Sequence, residues 1–219
     1  MRPKLFWAVP TSIFCALFFA TGCGSSSAHV RVLNAIPIQS NIDMLIDSKD
    51  VASAIPYASA SGYITVSSGS RHLQIEATGS SSPFVDQNIS LSSGSYDTVL
   101  DTSNGATVFT DNHSTPASGD FGIRVINAST GLGPADVYVV LSGNAMGSTP
   151  TFSNVGVPTA SGYTSLAAGS YIVYFTTPGT TNVLLSTGTL TLASGQVRTV
   201  AAIDGQSGGV TTTVLADLN

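Results

Sequence analysis

"ASASGYITVSSGS" spans Ala58 to Ser70, and "PTASGYTSLAAGS", Pro158 to Ser170, says nearly the same thing further along the chain. The surrounding sequence repeats with it. "VRVLNA" (30–35) recurs as "IRVINA" (123–128), and "IDMLI" (42–46) as "ADVYV" (135–139), with Asp43 matching Asp136. "ISLSSGSYDTVL" (89–100) recurs as "LTLASGQVRTVA" (190–201), and "TVFTDN" (107–112) as "TVLADL" (213–218). The offset drifts from 93 to 106, mainly at "GNAMGSTPTFSNVGVP" (143–158), where the second copy is longer. Two copies of one domain of about 90 residues account for the pattern, a normal domain size. The period is too long for a solenoid, whose repeats run to about 20–50 residues.

Within each copy apolar residues alternate with polar ones. Val30 and Val32 flank Arg31; Leu73, Ile75 and Ala77 alternate with His72, Gln74 and Glu76. A period of two marks a strand buried on one side. Turn residues arrive every 8 to 12 positions or so, and no helical run lies outside residues 1–22. The expected fold is all-β: two tandem antiparallel β-sandwiches, immunoglobulin- or transthyretin-like, of about seven to eight strands each. In the repeated phrase, Gly62 and Tyr63, like Gly162 and Tyr163, are expected to open a strand. Gly69 and Gly169 are then the structural turns, left-handed glycines of a hairpin whose second strand returns antiparallel. Tyr63 and Tyr163 are expected to lay their rings on the sheet, with hydroxyls near solvent or a backbone carbonyl.

The N-terminus is excluded from fold reasoning. "MRPK" is basic, "LFWAVPTSIFCALFFA" (5–20) is apolar but interrupted by Pro10, and "ATGC" ends at Cys23. Small residues before a Cys at the end of an apolar segment resemble the lipobox of bacterial lipoprotein precursors. That resemblance implies a signal peptide over 1–22, cleavage before Cys23 and a lipid on its sulfur, hence a membrane anchor. Gly24, in place of an inner-membrane-retaining Asp, points to the outer membrane, on its periplasmic or surface face. The mature chain keeps five basic against twelve acidic side chains, a net of −7, and has no thiol pair for a disulfide. The expected organisation is a tether over 23–28, a first sandwich over 29–112, a linker over 113–120 and a second sandwich over 121–219, each sandwich standing on its own core.

Taken together, "VRVLNA…IDMLID…IPYASASGYITVSSGSRHLQIEATG" and its second copy resemble a bacterial family of secreted domains, domain of unknown function 4397. Its members show a "VRVxHASP" start, an Asp-Val-Tyr-Val strand and a "Y…SxYxxLxAGxYxVxV" segment. Asn34 and Asn127 stand where many members carry His. The resemblance implies an extracellular β-sandwich, often lipid-anchored and tandem, and carries no catalytic residues.

Motifs of chemistry are sparse. "DGQSGG" (204–209) places G-x-S-x-G around Ser207, but a nucleophile elbow needs a strand–turn–helix setting, and a hairpin explains it here. His29, His72 and His113 form no metal-spaced pair, no D-x-[DN]-x-[DN]-G loop occurs, and Asp97 and Asp101 are the closest acidic pair of note. No catalytic residue, metal or cofactor is expected. The acidic balance and lack of a basic cluster argue against nucleic acid. The reading is a non-catalytic, lipid-anchored envelope protein, a structural or protein-interaction module. A surface module for glycan or another small ligand is the alternative, with Tyr57, Tyr138, Tyr171 and Tyr174 as its only aromatic candidates. A row of coplanar exposed Tyr rings would favour glycan; an unpaired edge strand or apolar patch would favour protein.

Overall fold

A computed structural model describes residues 26–102 and 105–219; Cys23 and the rest of the N-terminal segment lie outside them. The first copy contributes β1 (Ser27–Asn34), β2 (Asn41–Ile46), β3 (Lys49–Pro56), β4 (Ile64–Ser67), β5 (Gly69–Ala77), β6 (Pro83–Leu91), β7 (Tyr96–Thr102) and β8 (Gly105–Thr110). The second contributes β9 (Asp120–Asn127), β10 (Ala135–Leu141), β11 (Phe152–Val155), β12 (Thr159–Ala160), β13 (Thr164–Ala167), β14 (Gly169–Thr176), β15 (Val183–Ser186), β16 (Leu190–Leu192), β17 (Val197–Asp204) and β18 (Val210–Leu218).

Each copy is a two-sheet sandwich. Strands β4-β1-β7-β8 face β3-β2-β5-β6, and β12-β9-β17-β18, with β13 also on β9, face β11-β10-β14-β15, with β16 also on β14. The alternating side chains meet between the sheets: Val30, Val32, Met44, Leu73, Ile75 and Val99 in the first core, Phe121, Val125, Val137, Val173, Phe175 and Val200 in the second. Pairing is antiparallel except that β1 runs parallel to β7, and β9 to β17. These partners are joined through the whole sandwich, so no hairpin dictates their direction.

The repeated phrase departs from expectation. Strand β4 pairs with β1 in one sheet, whereas β5 pairs with β2 and β6 in the other. In the second copy β13 pairs with β9, and β14 with β10. "SSGS" and "AAGS" are therefore corners at which the chain changes sheets, and not hairpins. A sandwich strand that switches sheets needs a bend at the crossing. Gly69 supplies it with φ of 97°. Gly169 does not lie in the left-handed region, and the corner bends instead around Ala168.

A further apolar cluster joins the two copies. Strands β1, β7, β9 and β17 are buried on both faces. Their outward residues Leu33, Leu100, Ile126, Ala201 and Ile203, with Leu215 and partly buried Tyr57 and Phe109, form a third apolar cluster drawn from both copies. The inner sheets thus pack face to face, giving four stacked sheets. Each copy keeps a core of its own, and the shared layer, which the sequence reading did not expect, is added to the two.

Candidate functional site

Beside the shared apolar cluster sits a charged constellation that is also a repeat. Arg31 on β1 and Arg124 on β9 occupy the same place in their copies, on the strand face turned away from each sandwich core. Arg31 Nε donates to Thr98 Oγ1 at 2.8 Å, and Arg124 Nε to Thr199 Oγ1 at 2.8 Å. Their other nitrogens cross to the opposite copy. Arg31 pairs with the Asp217 carboxylate and donates to the Ala216 carbonyl at 2.7 Å. Arg124 pairs with the Asp111 carboxylate and donates to the Thr110 carbonyl at 3.0 Å. Arg31 also lies 3.3 Å from Asp111. Each Asp is braced from its own copy: Tyr63 and Thr98 hydroxyls donate to Asp111, both at 2.5 Å, and Tyr163 and Thr199 to Asp217 at 2.8 and 2.7 Å. The guanidinium carbons sit 4.6 Å over the Tyr63 ring and 4.8 Å over the Tyr163 ring.

Arginine suits this place because its planar fork satisfies carboxylate, carbonyl and hydroxyl at once. The side chains are sealed, the Arg at 3% exposure and Asp111 and Asp217 at 0%. Burial pushes the Tyr63 and Tyr163 hydroxyls well above their usual range, against the opposing pull of Arg31 and Arg124. Such a dry, mutually neutralised group holds two surfaces in register; it offers no route for substrate.

Tyr63 and Tyr163 therefore spend their hydroxyls on buried carboxylates, not on solvent or backbone. The Ser before each phrase glycine is equally specific. Ser61 Oγ accepts from Val32 N at 3.1 Å, and Ser161 Oγ from Val125 N at 3.0 Å, completing the edge of β1 and β9 just ahead of β4 and β13. Nothing in the structure requires glycine at 62 or 162, since an added Cβ meets nothing within 4 Å at either. Asn34 and Asn127 act alike. Asn34 donates to the Gln39 and Ile55 carbonyls at 3.3 and 3.1 Å and accepts from Ile36 N at 3.3 Å. Asn127 donates to Gly133 and Val155 carbonyls at 2.8 and 3.0 Å and accepts from Ser129 N at 3.3 Å.

Sequence reasoning missed Arg31, Arg124, Asp111, Asp217, Thr98 and Thr199. The available signal was their recurrence at equivalent positions in a chain with only seven Lys and Arg side chains.

Elsewhere the chemistry is dispersed. Ser207 lies in the exposed turn between β17 and β18, where Gly205 N donates to the Gly209 carbonyl at 3.0 Å. Asp204 bonds Ser129, Thr130 and Gly131; these donors outweigh burial and hold its carboxyl below the usual range. His72 meets Asp86 at 2.7 Å on an open face. His29 and His113, unrelated in the sequence pattern, stack on opposite sides of Tyr96 at 4.3 and 3.6 Å. Asp97 accepts from the Thr110 hydroxyl at 2.8 Å. Asp101 is fully buried, its carboxylate has no partner among the described residues, and desolvation pushes it up to about 8. No group of three His, Cys, Asp or Glu among the described residues could hold a metal.

The Tyr side chains form no open platform. Tyr138 and Tyr174 stand opposite each other on β10 and β14, but Tyr138 is only 4% exposed. Tyr171 is buried and donates to the Ala167 carbonyl at 2.8 Å, and Tyr57 donates to the Asp204 carbonyl. A groove of about 380 Å³ beside β4 has Asp47 and Lys49 as its only charged lining, and one of about 150 Å³ between the copies has only Asp204.

The family profile described as "Domain of unknown function (DUF4397)" matches twice, over residues 28–138 and 121–219. The chain belongs to this family. It matches no curated protein in sequence. Among solved structures it is similar to the Bacillus anthracis TIE protein, at 8% identity and a TM-score of 0.28, covering 87% of this chain but 44% of that one. It is also similar to the CBM26-family module of Eubacterium rectale Amy13K, solved with maltoheptaose, at 10% identity and a TM-score of 0.28, covering 86% of this chain and 96% of that one. A structure titled for α-glucan binding by a streptococcal virulence factor aligns at 10% identity and a TM-score of 0.27, over 85% and 97% of the two chains. At scores this low, what those proteins bind says nothing about this DUF4397 chain.

Proposed function

We propose that this chain is a non-catalytic, lipid-anchored protein of the cell envelope, most simply of the outer membrane, whose fused pair of sandwiches serves as a structural or protein-interaction module. The observation that carries the reading is the fate of Arg31 and Arg124, with Asp217 and Asp111 that they pair with, charges common to both copies. They are sealed between the sandwiches and line neither of the grooves described above, while Asp43 and Asp136, also common to both, accept from backbone N–H groups of their own copies. What is left at the surface suits protein contact. Strands β6 and β18 are nine-residue edges, each paired on one side only, and Ile38, Phe84, Val183 and Leu184 are exposed. Open edges and exposed apolar side chains favour another protein.

The test is site-specific photo-cross-linking in the native envelope from Ile38, Leu184 and, as a control, Asp50. A discrete cross-linked species from the apolar positions and none from Asp50 supports the module. The glycan alternative predicts calorimetric binding of oligosaccharide to the purified protein; with no open row of Tyr rings to stack on, no binding heat is expected. Saturable oligosaccharide binding without protein cross-links would replace the interaction reading.

A further inference from the structure

We propose that the end of the molecule bearing both repeated corners, Ser67–Ser70 and Ala167–Ser170, rests on the phospholipid headgroups, with the opposite end presented away from the membrane. The inference rests on the lipid-anchor reading of Cys23. Only Gly24 and Ser25 separate that residue from Ser26, and β1 begins at Ser27. An extended chain spans at most about 3.6 Å per residue, so the acylated sulfur lies within roughly 15 Å of the start of β1. Eight strand residues rise about 26 Å, which places the far end of β1 beyond that reach.

Both sandwiches point the same way. At the start of β1, Ser27 lies opposite Ser67, and Gly94 N donates to the Ser27 carbonyl at 2.7 Å. At the start of β9, Asp120 lies opposite Ala167, and Gly195 N donates to the Asp120 carbonyl at 2.8 Å. The interface keeps like ends together. Arg31 meets Asp217 near the β18 residue paired with Val197, which itself lies beside Gly122. At the other end Tyr57 meets Asp204, beyond the pairing of Ala202 with Asn127. The two corners and the turns 92–95 and 193–196 therefore share the tethered end.

Their sequences are "SSGS", "AAGS", "SSGS" and "ASGQ", without one charge. The β2–β3 turn and the start of β9 bring Asp47, Asp50 and Asp120 to the same end, set against Lys49 and the Arg71 that pairs with Asp47, so its charges nearly balance and an acidic chain can approach anionic headgroups there with little like-charge repulsion. The outer face of the β2–β5–β6 sheet could not do so, since Asp43, Glu76 and Asp86 lie on it. Exposed Ile38, Phe84, Val183 and Leu184 stand towards the distal end, where a protein partner would meet them.

Acylated full-length protein carrying one fluorophore, at Ser93→Cys, Ala168→Cys, Ser81→Cys or Ser207→Cys, is reconstituted into vesicles with nitroxide-headgroup phospholipid. All four positions are exposed. Fluorescence should be largely lost at Ser93→Cys and Ala168→Cys and kept at Ser81→Cys and Ser207→Cys. Equal loss at all four, or the reverse order, overturns the orientation while the anchor stands. Protein that carries no lipid on Cys23 by mass spectrometry and does not float with vesicles overturns the anchor and the orientation together.

Discussion

Asp101 is where one residue departs from its own repeat. The second copy has Ala202 at the matching place, in its apolar core. Asp101 lies on the equivalent face of β7, opposite Asn34 on β1 and Ala106 on β8, neither of which is ionisable. Its carboxyl is raised to about 8 by desolvation. A carboxyl raised in the folded state keeps its proton there while the unfolded chain gives it up above the ordinary value near 4. Stability is therefore greatest below that value and falls as pH climbs towards 8, by up to about 1.4 kcal/mol per unit. Asp101→Asn should melt higher than wild type at pH 8, with the gap shrinking towards pH 5. A gap that does not change with pH would show that Asp101 is ionised throughout.

At the scale of the strand, the two corners should not respond alike. Gly69 holds a positive φ, so Gly69→Ala forces an L side chain into the left-handed region, at a cost of roughly 1–3 kcal/mol. Gly169 has no positive φ; its added Cβ would come 3.2 Å from the end of the Leu141 side chain, 3.3 Å from the edge of the Tyr171 ring and 3.9 Å from the Ala167 carbonyl. Gly169→Ala should cost less than about 1 kcal/mol, as the exposed Leu141 can move aside and the Tyr171 ring need give only a few tenths of an ångström. Thermal melts of the two variants decide it, and equal losses would mean that the corners share one geometry. The alternation of Val30 and Val32, or Leu73 and Ile75, made the strands legible, because burial on one face is a local signal. The hairpin reading failed because a glycine between two strands marks a sharp bend of either kind. Whether β4 turns onto β5 or crosses to β1 is settled by pairing with residues more than thirty positions away. The shared interface was hidden for a similar reason: Arg31 alternates with Val30 and Val32 as a solvated residue would, and only the second copy shows what covers it.

At the scale of the whole molecule, the reciprocal Arg–Asp pairs and the apolar layer around them predict one cooperative unit. Removing one partner leaves a buried carboxylate uncompensated, which costs about 3–5 kcal/mol. Arg31→Met should lower stability by that order, because Asp217 keeps only Tyr163 and Thr199 as donors. Arg124→Met leaves Asp111 with Tyr63, Thr98 and the longer contact to Arg31, and should cost somewhat less. Because the pairs are dry, 1 M salt should leave the wild-type transition intact, where an exposed pair would be screened. Calorimetry should give a single transition for the wild-type chain and two for Arg31→Met/Arg124→Met, as the sandwiches lose register and unfold separately. A double variant that still melts in one step at the wild-type temperature would mean that the apolar layer alone joins the copies and that the repeated arginines serve something other than cohesion.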